Sequence, residues 1–245
     1  MEATAVPVLR DNYVIVLHEG CEAIIVDPAV AAPLATWMET RGLRLVAILL
    51  THHHADHVGG VPGLLKLWPK AKVFASASDQ KRIPWQSVGV GEGDVYTLLG
   101  RDVRVLEVPG HTQTHVAYHM PSSDPGMQAE LFCGDTLFAG GCGRLFEGTA
   151  EQMHHSLQRL TALSDHTRVW CAHEYTEANL RWAITQEPDN PAIAQRLAVV
   201  QDLRRRGLPT IPSTVTLERQ TNLFARARNS SELAALRAHK DGWNG

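Results

Sequence analysis

Thr51-His-His-His-Ala-Asp-His57 places five metal-capable side chains within six positions, directly after the apolar run Leu45-Val-Ala-Ile-Leu-Leu50. Imidazole and carboxylate together form the ligand set of zinc, iron or manganese, and a cation makes so many polar groups tolerable beside a core. The spacing H-x-H-x-D-H marks His52, His54, Asp56 and His57 as candidate ligands, with His53 and Ala55 as spacers. The apolar run has the length of a strand, and Gly59-Gly60 closes the cluster. This predicts a buried strand, a ligand-bearing loop and a helix beginning near Val61. Ligands at i and i+2 of an extended segment project to one side, whereas a helical H-E-x-x-H site needs i and i+4. The pattern is therefore not a helical zincin, and its carboxylate and strand context distinguish it from a tag-like histidine tract.

Further along the chain, three more metal-capable residues stand where an apolar run gives way to a loop. His111 follows Val103-Arg-Val-Leu-Glu-Val108 and Pro109-Gly110, Asp135 follows Leu131-Phe-Cys-Gly134, and His173 follows Val169-Trp-Cys-Ala172. One such histidine alone is an ordinary surface or core residue. Three in sequence suggest ligands converging at one edge of a sheet, where loop-borne function sits.

Strand-like runs at 13–18, 23–27, 46–51, 73–75, 103–108, 115–120, 131–133 and 169–171 alternate with helical periodicity at 31–41, 61–68 and 150–163. Such a pattern suits stacked sheets covered by helices. From Glu174 onward the stretches 174–187, 190–206 and 230–240 read as helices, the first two divided by Pro188-Asp-Asn-Pro191. The expected organisation is a mixed α/β domain over 1–172 and a smaller, mostly helical domain over 173–245.

Composition narrows the function classes. The chain has 245 residues, a hydrophobic fraction of 44% and a formal net charge of −3, which supports a packed core and offers no global field for nucleic acid or an anionic membrane. Cys21, Cys133, Cys142 and Cys171 form no C-x-x-C pair, which argues against a disulfide scaffold and a zinc ribbon and for a reducing compartment. The amino terminus lacks the basic start and apolar core of a signal peptide, and no apolar run approaches spanning length. The expectation is a cytoplasmic monomer without a membrane or nucleic-acid partner.

Taken together, Asp27, His52-x-His54-x-Asp56-His57, His111, Asp135 and His173 resemble the five-motif signature of the metallo-β-lactamase superfamily. Within it, Thr51 to Gly60, Gly134-Asp-Thr-Leu-Phe138, Gly141-Cys-Gly143, Glu147-Gly-Thr149 and His173-Glu-Tyr-Thr176 look most like glyoxalase II, the hydroxyacylglutathione hydrolases. The resemblance implies an αββα sandwich with a smaller C-terminal helical domain and two divalent metal ions, zinc foremost, with iron or manganese as alternatives. His52, His54 and His111 would hold one ion, and Asp56, His57 and His173 the other. Asp135 would bridge them, and Asp27 would brace the ligand loop through hydrogen bonds. The implied reaction is hydrolysis of S-D-lactoylglutathione to glutathione and D-lactate, the second step of methylglyoxal detoxification.

The chemistry is coherent with that resemblance. Two neighbouring cations lower the pKa of a shared water enough to supply hydroxide and also polarise the carbonyl it attacks. Asp56 is placed to orient the nucleophile as well as bind metal. Glutathione carries two carboxylates and one ammonium, so local cations must hold it. The family's pattern assigns this to Arg144, Tyr175, Arg237 and Lys240, with Phe146 standing where many members have a second tyrosine. The glycine-rich Gly140-Gly141-Cys-Gly143 lacks the lysine of a P-loop and reads as a turn bordering the site.

Overall fold

The computed structural model describes residues 1–124 and 126–244. Two compact units emerge: Met1–Glu107 with Thr114–Pro121, and Val108–Gln113 with the chain from Ser122 onward.

The first unit begins with β1 (Glu2–Val8), β2 (Asn12–Glu19) and β3 (Glu22–Val26), and continues through α1 (Ala32–Glu39), β4 (Arg44–Leu49), α2 (Ala55–Val58), α3 (Val61–Leu67), β5 (Lys72–Ser76) and β6 (Val88–Val90). These six strands form one sheet in chain order. β1, β2 and β3 are antiparallel, and β3 to β6 run parallel. Covered central strands explain why Tyr13 to Leu17 and Ala47 to Leu50 read as near-continuous apolar runs rather than alternating ones. On one face, Leu34 and Met38 of α1 and Val61 and Leu64 of α3 join Val14, Val16, Ile25 and Ile48 in a single core. Against the other lies a meander of β7 (Val95–Leu98), β8 (Arg101–Glu107) and β9 (Val116–Met120). Tyr118 of β9 donates its buried hydroxyl to the Leu50 and Phe74 carbonyls at 2.9 and 3.2 Å, and Phe74 meets Tyr96 edge-on at 5.1 Å.

In the second unit, β10 (Glu130–Gly134) pairs in parallel with β13 (Arg168–Cys171), which pairs with the short β14 (Ser213–Thr214). Between them come the hairpin of β11 (Leu137–Phe138) and β12 (Gly141–Cys142) and helix α4 (Ala150–Thr161). The helices α5 (Thr176–Gln186), α6 (Pro191–Arg205), α7 (Val215–Thr221) and α8 (Ser230–Asp241) complete it. Their starts follow local chemistry. Thr149 and Gln152 form a capping box on α4, Asn190 caps α6 ahead of Pro191, and Asn229 caps α8. Glu218 of α7, fully buried, pairs with Arg196 of α6 at 2.6 Å and accepts from the Gly140 amide at 2.8 Å, tying two helices to the hairpin turn.

Structure and sequence reading differ at the edges. The strands β1, β6 and β7, the short β11, β12 and β14, and helix α7 were not expected from the sequence. β1 carries Pro7, which removes a ladder donor and is tolerated because β1 lies at a sheet edge. α7, Val215-Thr-Leu-Glu-Arg-Gln-Thr221, is mostly polar, and its placement depends on the Thr214 cap and on Glu218 rather than on an apolar stripe. Within the histidine run, the expected loop closes into the single turn of α2, where the His57 and Val58 amides both reach the His54 carbonyl. Among the described residues no helix is long and apolar enough to cross a membrane.

Candidate active site

The histidine run leaves β4 into an extended segment, with His54 at φ −62° and ψ 145° before α2 begins. His52 Nε2 and His54 Nδ1 consequently converge to 3.0 Å. Asp27, at the end of β3, organises this loop. It accepts from the Thr51 amide at 2.8 Å, from Thr51 Oγ1 at 2.7 Å and from His57 Nδ1 at 3.0 Å. With Nδ1 committed to Asp27, His57 presents Nε2 as its lone-pair nitrogen. Because Thr51 gives its proton to Asp27, its oxygen accepts from His52 Nδ1 at 3.1 Å, which likewise frees Nε2 of His52 to ligate. Asp27 adopts φ 51°, a left-handed conformation that Asp tolerates better than most side chains. Gly59 and Gly60 let α2 settle on the segment after Asp27. A Cβ on Gly59 would lie 2.7 Å from the Ala29 oxygen, and one on Gly60 2.6 Å from the Val30 carbonyl carbon.

Asp56 extends from α2 with Oδ2 3.7 Å from His57 Nε2 and 3.0 Å from the donating Asn12 Nδ2. His53, read as a spacer, turns elsewhere. It joins buried Asp79, 3.5 Å away, and Arg82. His115 stacks on His52 with ring centroids 4.7 Å apart. His119 is 9% exposed, and burial together with Arg104 and Arg101 lowers its pKa to about 4, which keeps it neutral.

The second unit has its own cluster in His111, Asp135 and His173, all buried after strands. The Asp135 carboxylate sits between two imidazoles, Oδ2 being 3.5 Å from both His111 Nε2 and His173 Nε2. His111 directs Nδ1 to the Arg144 carbonyl at 2.8 Å, which fixes the tautomer that offers Nε2. The close turn here needs glycine, because a Cβ on Gly143 would fall 2.0 Å from the Asp135 carbonyl oxygen. A tetrahedral ion with bonds of about 2.0–2.1 Å sets its donors roughly 3.3 Å apart. The donor spacings of 3.0, 3.7 and 3.5 Å in the two units fit that demand. Groups of His and Asp able to hold metal, in this fold, suggest a dinuclear site.

His111 and Asp135 also line a cavity of about 700 Å³ with Phe138, Cys142, Arg144, Phe146, Tyr175, Asn179, Arg237 and Lys240. All four residues that the sequence singles out for ligand binding therefore face one space. Tyr175 stacks on His173, ring centroids 4.8 Å apart and 5° from parallel, and Phe138 meets both rings edge-on. Arg237 is 6% exposed and lines the cavity. It donates NH1 to the Cys142 carbonyl at 3.0 Å, pairs with Asp241 at 2.8 Å and covers Phe224. Lys240 packs over Trp182, and its Nζ hydrogen-bonds Asn179 Oδ1. Burial and the nearby Arg237 lower its pKa to about 8, opposed by Cys142 and Asp241 and reinforced by Arg144. Asn12, Asn179 and Asp241 escaped sequence reasoning, because an isolated Asn or Asp carries no spacing signal and only the fold brings each to its partner.

Residues 7–173 match the model of the metallo-β-lactamase superfamily, and 174–243 that of the hydroxyacylglutathione hydrolase C-terminus. Curated hydroxyacylglutathione hydrolases from Synechococcus sp. and Parasynechococcus marenigrum are 52% and 54% identical over 240 residues, covering 98% of this chain and 96% of each relative. A crystal structure of ETHE1 from Myxococcus xanthus shares the fold at 22% identity, with a TM-score of 0.71 over 97% of this chain and 90% of that one. A protein solved in a di-iron-bound form is 30% identical, with a TM-score of 0.57 over 71% of this chain and 92% of that one. Sequence motifs, fold and full-length similarity agree that this chain belongs to the hydroxyacylglutathione hydrolases of the metallo-β-lactamase superfamily.

Proposed function

We propose that the protein hydrolyses S-D-lactoylglutathione and related 2-hydroxyacyl glutathione thioesters to glutathione and the free hydroxy acid, as the curated relatives' name indicates. The observation that carries this reading is the shared cavity, which sets the metal-capable His111 and Asp135 beside Arg144, Tyr175, Arg237 and Lys240. In this reading His52, His54 and His111 would hold one ion, Asp56, His57 and His173 the other, and Asp135 would be shared by both. The equal 3.5 Å separations around Asp135 Oδ2 support its bridging role. Zinc suits the imidazole-rich set, and the di-iron relative keeps iron as the alternative. When bound, such a pair supplies water activation and carbonyl polarisation.

The chain's own residues do the rest. Asp56, held by Asn12, would accept a hydrogen bond from the attacking water. Arg144 and Lys240 hold the carboxylates of a ligand whose net charge is about −1, and Tyr175 offers its hydroxyl beside the His173 ring. The thiolate leaves without needing a proton donor, which is why no further acid is assigned. Residues 1–172 act as the catalytic part and 173–245 as the substrate-binding part, a division supported by the two family matches. The same proposal places the enzyme in the cytoplasm as a monomer; buried Cys133, Cys142 and Cys171 suit a reducing compartment.

A turnover panel of S-D-lactoylglutathione, a β-lactam and a lactone, run with metal analysis, tests the proposal. Hydrolysis of the thioester well above the others is expected, and preferential β-lactam or lactone hydrolysis would overturn it. Two variants probe the cavity. Arg237→Ala should raise KM chiefly, leave kcat nearly unchanged, and cost about 1–3 kcal/mol of stability because the Cys142 carbonyl and Asp241 lose their donor. For Lys240 the binding form is the ammonium, present below its pKa of about 8. KM should therefore climb as pH rises through that value, and Lys240→Arg should flatten the climb, as read from KM against pH.

A further inference from the structure

Asp241 occupies an electrostatically unfavourable position. It is the last residue of α8, where the negative end of the helix dipole favours cations and disfavours a carboxylate. Two arginines offset the cost, and both meet the same oxygen. Arg237 Nε and NH2 reach Oδ1 at 3.0 and 2.8 Å, and Arg144 Nε lies 3.5 Å from it. The two arginines differ in what remains. Arg237 is buried, and with NH1 on the Cys142 carbonyl each of its three nitrogens is engaged. Arg144 is 64% exposed at its side chain and approaches Asp241 through Nε. Its outer edge, the NH1–NH2 pair, is the edge that grips a carboxylate in two parallel hydrogen bonds.

We propose that Asp241 is a positioning residue: fixed by Arg237, it anchors Arg144 through Nε so that the outer guanidinium edge stands over the cavity to take a carboxylate of the glutathione half. This rests on the function proposed above and deepens it by dividing the labour between the two arginines. Arg144 contacts the ligand, whereas Arg237 works through Asp241. An unanchored Arg144 would have to lose the rotamer freedom of a long side chain on binding, and anchoring removes much of that cost beforehand.

The test compares wild type, Asp241→Asn, Arg144→Ala and the double variant, using KM and kcat for S-D-lactoylglutathione together with calorimetric binding of glutathione. Exposed ion pairs of this kind contribute about 0.2–1 kcal/mol, so Asp241→Asn should raise KM and the glutathione Kd about 1.4- to fivefold with kcat unchanged. In the Arg144→Ala background the same change should have no further effect. An unchanged or lowered KM in Asp241→Asn overturns the proposal, as does an equal rise in the Arg144→Ala background, which would mean that Asp241 serves Arg237 alone. Should Asp241→Asn fold poorly, Arg144→Lys gives the same reading. It keeps the charge but has no Nε edge, so its KM should rise to the Asp241→Asn level, and a wild-type KM would overturn the idea. Wild type that neither turns over the thioester nor binds glutathione refutes the parent function instead.

Discussion

Asp135→Ala is expected to retain less than half of the wild-type metal and to lose thioester turnover by on the order of 10³-fold, since Lewis-acid stabilisation of several kcal/mol depends on the site. Asp135 is 7% exposed, its Oδ2 lying 3.5 Å from two imidazole nitrogens. Alanine leaves those imidazoles without the carboxylate between them, and no neighbouring acid in the second unit is assigned to replace it. Metal content by mass spectrometry and single-turnover kinetics check the outcome. Undiminished metal in Asp135→Ala would remove the residue from the ligand set, and full turnover by a metal-depleted variant would overturn the dinuclear chemistry.

Asp27→Ala should be the most damaging change that touches no proposed ligand position. Three donors lose their acceptor at once, the Thr51 amide, the Thr51 hydroxyl and His57 Nδ1, in a site where Asp27 is 4% exposed. Removing one partner from such a buried charged network costs about 3–5 kcal/mol. Loss of an outer partner of a ligating histidine weakens metal affinity by about 10–100-fold. Denaturant unfolding and chelator competition would read the two effects separately. Asp27→Asn should recover much of the stability, because Asn also tolerates the left-handed backbone there, yet still weaken metal retention, because one amide oxygen cannot accept all three bonds.

Most of the fold was legible because its strands are either buried on both faces, as Tyr13 to Leu17, or end in a conspicuous residue, as β4, β10 and β13 do at Thr51, Asp135 and His173. The metal-capable residues were legible for the same reason: strand ends announce them. What stayed hidden depends on partners far along the chain. Asn12 gains meaning only from Asp56, 44 residues on, and Glu218 only from Arg196 and the Gly140 amide. For the basic pair of α8, spacing gave only a shared face, the family resemblance gave the binding role, and the chemistry was in neither. Spacing places Arg237 and Lys240 on one face, yet burial decides that one guanidinium is already committed and that the ammonium titrates near 8.

The two glycines after the histidine run carry a lesson for anyone rebuilding this scaffold. With carbonyl groups of Ala29 and Val30 where any side chain would need to go, the 51–60 segment and the strand end at 27–30 behave as a single interlocked module. A chimera that imports one from a homologue without the other should misfit at that seam, whereas a transplant carrying both has the geometry to remain whole.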